Sequence, residues 1–359
     1  MPYPQTPAQR PSPKRFGVLA CFASLCGLCA KPVSRKSLSL VGILVTCSFS
    51  LSRGLPGVAA SPNDLGKKVE DLIRASGAEM VAVSYHDLAT GAELLINPDT
   101  SFHAASTMKV PVMMEIFRQA AAGKISLDQR IPIKNDFASI VDGSHYSLTP
   151  ESDSDQSLYT RIGQTETISE LIRLMITVSS NLATNILIER VTPGRVMDLM
   201  HTIGAHNIRV LRGVEDGKAF QQGLNNTTTA RDLMIILRRI AERRAVSPKA
   251  SDEMIKIMLD QTFNEGIPAG LPPGVRVSHK TGSITKVNHD AAIVYAPGGK
   301  PYVLVVLERG IEDEKLAHKL IADISRMVYE AASGSSRKSS GERAGTHHKV
   351  PSSSDIAGS

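Results

Sequence analysis

Cysteine is confined to the first 47 residues of this 359-residue chain, at Cys21, Cys26, Cys29 and Cys47. Beyond residue 60 there is therefore no disulfide, no thiol nucleophile and no cysteine metal site. A domain there must be stable through its core alone, and roughly 270 residues are enough to build one. Acidic residues are missing from 1–60, which holds seven of the 41 Lys and Arg. The formal charge of +6 thus belongs to that segment, and the remainder lies within one charge of neutrality. A nucleic-acid partner loses its main support. Among the ten histidines only the adjacent pair His347-His348 has any ligand-like spacing, so neither a metal nor another cofactor is expected.

The basic segment contains two apolar runs, Phe16–Ala30 and Leu38–Leu51. Arg35 and Lys36 precede the second and the small residues Val58-Ala59-Ala60 follow it, the layout of a secretory signal. Residues 1–60 are expected to be a leader cleaved near Ala60, with the protein periplasmic or extracellular. An uncleaved membrane anchor and a mis-assigned start are the alternatives. Leu44-Val45-Thr46-Cys47 has the look of a lipoprotein signal, but Thr46 before the cysteine fits one poorly. At the other end, 334–359 is Ser/Gly-rich and without periodicity, and is expected to be a disordered tail. Residues 61–333 then form one domain, expected to be monomeric.

Within that domain, Leu65, Val69, Leu72 and Ile73 recur at helical spacing and predict a helix over 64–76. Val81, Val83 and Tyr85 alternate, a turn falls at 87–91, and Leu94–Ile96 completes a hairpin. The middle has almost no strand signal. Thr167-Ile168-Ser169-Glu170 is a capping box with an apolar stripe behind it, and further helices are predicted over 181–190, 193–203, 228–243 and 249–260. Strands return at Val275/Val277, 291–295 and 302–307, before a last helix carrying Leu316, Leu320, Ile324 and Val328. Strands at both ends with helices between predict an α+β fold: one antiparallel sheet built from the two ends, packed against a helical insertion. The long loop 135–163 carries Glu151, Asp153 and Asp155, which read as a solvated acidic turn because the rest of a calcium loop is missing.

Chemistry concentrates at Ser106-Thr107-Met108-Lys109, in an apolar run that opens a helix. A Ser and a Lys three residues apart on a helix share one face, so hydroxyl and amine can hydrogen-bond. A serine needs a neighbouring base to attack, and a buried lysine gives up its proton readily enough to be that base. The same spacing at Ser335 and Lys338 lies in the polar tail and carries nothing. Two further motifs follow: Ser179-Ser180-Asn181 at a helix junction and Lys280-Thr281-Gly282-Ser283 after the Val275/Val277 strand.

This ordered set resembles the signature of class A β-lactamases and penicillin-binding proteins. The separations, and Ala269–Gly274 leading into Lys-Thr-Gly, are similar to that family's, and the likeness covers about 62–332. The resemblance implies a serine hydrolase whose partner is a small β-lactam or a D-alanyl peptide. Ser106 would be acylated, with Lys109 taking its proton directly or through water. Ser179 and Lys280 would pass a proton to the leaving nitrogen, and Asn181 would hold the acyl amide. Lys280, Thr281 and Ser283 would bind a carboxylate, Gly282 would allow close approach of the strand, and the amides of Ser106 and Ser283 would form an oxyanion hole. Two positions depart from the pattern. Ser180 replaces the motif's Asp, and Glu215, the candidate deacylation base in 212–233, is not followed by Leu-Asn at the family's spacing. Glu215 is therefore either catalytic or structural. The resemblance makes a β-lactamase the leading expectation, with a D-alanyl-D-alanine carboxypeptidase and a penicillin-binding sensor that never turns over as the alternatives.

Overall fold

The computed structural model describes residues 62–297 and 299–343. The expected leader, its cleavage site and residues 344–359 lie outside them. In chain order, α1 (Pro62–Ala75) leads to the hairpin β1 (Met80–Asp87) and β2 (Glu93–Ile96). The Asp87 carboxylate closes its turn by accepting from the amides of Ala89 and Thr90, at 2.6 and 3.1 Å. Helices α2 (Lys109–Ala121), α3 (Ile168–Thr177), α4 (Asn181–Val191), α5 (Pro193–Ile203), α6 (Gly217–Gln221), α7 (Ala230–Ala241) and α8 (Pro248–Leu259) follow. The chain then returns to the sheet as β3 (Arg276–Ile284), β4 (Val287–Tyr295) and β5 (Tyr302–Arg309), and ends in α9 (Glu314–Arg343).

The five strands lie in the order β2-β1-β5-β4-β3, antiparallel throughout, as expected of a sheet made from both ends. Its two faces build two cores, because alternate residues of a strand point to opposite sides. Val303, Val305 and Leu307 of β5 face the helical insertion, together with Ala291 and Ile293 of β4. Tyr302, Leu304 and Val306 face the other way, against Leu65 and Val69 of α1 and Leu320, Ile321 and Ile324 of α9. Helix caps follow the sequence: Thr167, Thr229 and Ser247 each accept an amide of the first turn, those of Glu170, Asp232 and Ala250.

Four expectations change. Lys280-Thr281-Gly282 lies inside β3 rather than after it, and β4 begins at Val287 rather than 291. The residues that lengthen these strands, His279, Asn288, His289 and Asp290, are polar yet buried, so hydropathy alone does not reveal them. The disordered tail does not start at 334, because α9 continues to Arg343. Extending an existing helix is far easier than nucleating one, and no proline stops it. The acidic turn is not solvated: Asp153 and Asp155 are buried. The long loop also contains a short antiparallel pairing of 137–138 with 145–146.

Gly270 ends a 3₁₀ turn (Ile267–Gly270) against α9, where a Cβ would overlap the Ala322 carbonyl and meet Ser325 Cβ at 2.9 Å. Gly270→Ala should therefore destabilise the domain by about 1–3 kcal/mol. Urea unfolding checks this, and an unchanged midpoint contradicts the packing.

Candidate active site

Three elements bring the expected residues together. The first is a 3₁₀ turn, Ala105–Met108, that runs into α2. The chain enters it through Ala105 at φ +45°, and Thr107 Oγ1 donates to Ala104 O at 2.6 Å. The second is the junction of α3 and α4, where Ser179 sits at φ +58°. The third is β3, at the edge of the sheet. Gly282 of β3 lies directly on the 3₁₀ turn: a Cβ there would come within 3.0 Å of Ser106 N and 3.1 Å of Thr107 N. The close approach that requires glycine is thus to the serine's own turn. Glu215, at φ +62°, makes the third strained residue of the site. Non-glycine residues in the left-handed region cost on the order of 1–3 kcal/mol each and gather where function demands them.

Two buried lysines meet at one hydroxyl. Lys109 and Lys280 are both 0 % exposed, and each donates from Nζ to Ser179 Oγ at 3.1 Å. Lys109 Nζ also donates to Ser179 O at 2.7 Å and to Asn181 Oδ1 at 2.9 Å, while Lys280 Nζ donates to Thr281 O at 2.9 Å. The expected bond between Ser106 Oγ and Lys109 is absent among the described residues, because three acceptors around the second motif already take the three N–H groups of Lys109. Burial pulls Lys109 down to about 7, with the carboxylates of Asp153 and Glu215 opposing that fall. Lys280 is pulled well below its ordinary value by burial and then by the charge of Lys109, with Asp290 opposing. Asp290 is itself fully buried, held by His279 Nδ1 at 3.0 Å and by the Ile267 amide at 2.8 Å.

Ser106 opens onto two cavities. One, of about 300 Å³, is lined by Ser179, Thr281, Gly282, Ser283, Phe263 and Glu314 among others. The other, of about 390 Å³, is lined by Asn181, Glu215, Phe220, Ser283 and Ile284 among others. Every expected site residue other than the two buried lysines therefore lines at least one cavity that contains the serine. The Ser283 hydroxyl lies 3.2 Å from Asn288 Oδ1 and 3.4 Å from Glu314 Oε1. No group of His, Cys, Asp or Glu among the described residues is placed to hold a metal ion.

Glu215 is exposed, and its carboxylate accepts only a long bond, 3.5 Å from Asn181 Nδ2. Arg212 does not anchor it: that guanidinium donates to Leu224 O, Gly213 O and Asn225 Oδ1. The loop is held by its neighbours instead. Buried Asp216 accepts from Ser139 Oγ, Ile140 N and Ala219 N, and Asn185 takes both backbone groups of Val214. Sequence reasoning missed Asp153, Asn185, Asp216 and Asn226, all buried polar residues. The one available signal was that 212–233 must find partners for its backbone polar groups inside the fold.

The model of the beta-lactamase enzyme family matches residues 64–332. The chain belongs to that family. A beta-lactamase of Bacteroides uniformis is 28% identical over 302 residues, covering 80% of this chain and 96% of that protein. Among solved structures, PBP-A aligns with a TM-score of 0.65 at 28% identity, covering 74% of this chain and 95% of that one. An ancestral class A beta-lactamase aligns with a TM-score of 0.65 at 26% identity, covering 74% and 99%. The expected fold class is confirmed by these likenesses.

For a family member built this way, Lys109 gains its neutral form as the pH rises through about 7. The rate at which Ser106 takes up an acylating probe in a single turnover should therefore climb through that point and level off above it. A rate that is flat across the same point contradicts a role for neutral Lys109. Lys109→Ala should slow the step by about 10²–10⁴-fold.

Proposed function

We propose that this chain opens β-lactam rings through an acyl-enzyme on Ser106. The observation that carries this reading is the unbroken hydrogen-bonded chain Lys109–Ser179–Lys280 beside a serine that faces two cavities. Neutral Lys109, with only two N–H groups for its three acceptors, has a lone pair free to take the Ser106 proton, directly or through water, as Oγ bonds to the carbonyl carbon. The negative charge that develops on oxygen falls to the amides of Ser106 and Ser283. As the C–N bond breaks, Ser179 gives its proton to the leaving nitrogen and recovers one from the lysines it touches. Asn181 keeps Oδ1 on Lys109 and offers Nδ2 to the acyl-side amide of the substrate. Thr281 and Ser283, with Lys280 behind them, suit a substrate carboxylate once Ser283 turns from Asn288. Phe220 and Ile284 give the acyl side an apolar wall.

Deacylation needs a second base that activates water against the ester. Glu215 shares the larger cavity with Ser106 and is not tied into the loop by Arg212, which favours the catalytic reading over the structural one. The export of the chain and its cleavage near Ala60 are part of the same proposal, supported by the layout of 1–60. N-terminal sequencing of secreted protein should begin near residue 61, and a start well before residue 50 in active, soluble material contradicts it.

Purified protein mixed with a chromogenic cephalosporin should turn it over, and Ser106→Ala should not. With Glu215→Gln, a penicillin adduct should form at the wild-type rate and persist in intact-mass spectra, since losing a general base costs about 10²–10⁴ in rate. Equal turnover by Glu215→Gln and wild type removes Glu215 from the mechanism. Hydrolysis of a D-alanyl-D-alanine peptide in preference to the cephalosporin would favour the peptidase instead.

A further inference from the structure

Ser180 stands in the middle of the second motif, and its hydroxyl accepts only from Ala183 N, at 3.3 Å. The first amides of α4 find their acceptor far away in the chain. We propose that Asp153, in the long loop, is the positioning residue that holds the second motif in register with Lys109. Its Oδ1 and Oδ2 accept from Asn181 N at 2.9 and 3.0 Å, and Oδ2 accepts from Leu182 N at 2.9 Å. Two further donors aim the carboxylate itself: Tyr159 OH reaches Oδ2 at 2.9 Å and Asp155 N reaches Oδ1 at 3.1 Å.

The consequences run straight to the reacting groups. The amide gripped by Asp153 belongs to Asn181, whose Oδ1 accepts from Lys109, and Ser179, whose Oγ joins the two lysines, lies two residues before it. A carboxylate at a helix start also suits the exposed positive end of the peptide dipoles. Asp153 is only 7 % exposed, so its charge acts on its neighbours with little screening by water. Lys109 thus feels two anions, Asp153 and Glu215, and one cationic neighbour, Lys280. Asp153 in turn faces Lys109 and the Tyr159 hydroxyl. Its contribution is therefore double: it fixes where Ser179 and Asn181 stand, and it keeps Lys109 from losing its proton too early.

This inference rests on acylation of Ser106, so wild type is tested first with a penicillin by intact mass. Absence of any adduct on wild type ends the functional reading itself. Asp153→Asn in the full chain keeps the shape, removes the charge and turns one amide donor toward the α4 amides. Single-turnover acylation should slow by on the order of 10²-fold, as for other displacements of reacting groups. The acid limb of its pH profile should move to lower pH, because removing an anion lets Lys109 release its proton sooner. A folded Asp153→Asn with the wild-type rate and acid limb overturns the proposal, even if its melting temperature falls. Should that variant not fold, Tyr159→Phe decides: it removes one bond to the carboxylate, so several-fold slower acylation supports the proposal and the wild-type rate overturns it.

Discussion

Two ammonium groups cannot both be charged, buried and held against one oxygen without a heavy penalty. Lys109 and Lys280 are in that position at Ser179 Oγ. Moving an ion out of water costs several kcal/mol even after relaxation, and a like charge nearby adds to the cost. The pair therefore favours a state with fewer than two positive charges, which leaves a neutral amine accessible near pH 7. Asp153 on the side of Lys109 and Asp290 on the side of Lys280 limit how far each falls. The site is a balance between burial, which removes protons, and two buried carboxylates, which retain them.

That balance requires three distant pieces of chain to meet within hydrogen-bond distance. The 3₁₀ turn supplies Ser106 and the start of α2 supplies Lys109, the α3–α4 junction supplies Ser179 and Asn181, and β3 supplies Lys280. A sheet assembled from both ends of the domain puts β3 at an edge, so that one of its sides stays free for the serine's turn. Gly282 is the contact between them, and any larger residue would press on the Ser106 amide. The left-handed backbone at Ala105, Ser179 and Glu215 is the conformational cost of convergence, carried by two cores on the two faces of the sheet.

The residues that gather at this site were legible in the sequence because Ser106, Ser179 and Lys280 each lie in a short local motif. The helices were legible for a similar reason, since caps such as Thr167 and stripes such as Leu171, Ile172 and Met175 are local signals. What escaped was set by long-range contact. Asp153 reads as a surface acid until α4 is laid against it, and Asn185 as an ordinary helix residue until Val214 arrives. The extra length of β3 and β4 was hidden by buried polar residues, which violate the alternation that marks a strand. The Ser106–Lys109 bond was drawn from helix spacing alone. Spacing puts two side chains on one face, but it cannot say which other acceptors compete for the amine.

Protonation of the lysines themselves gives the most direct access to the central claim. Isotope-labelled lysine side chains can be titrated by NMR in the intact protein, with Lys109→Arg and Lys280→Arg used to assign the signals. Two lysines should titrate far below 10.5, with Lys109 changing near 7, while surface lysines change near their ordinary value. If every lysine in the protein, these two included, keeps its proton until about 10.5, the shared-hydroxyl account of the site is contradicted.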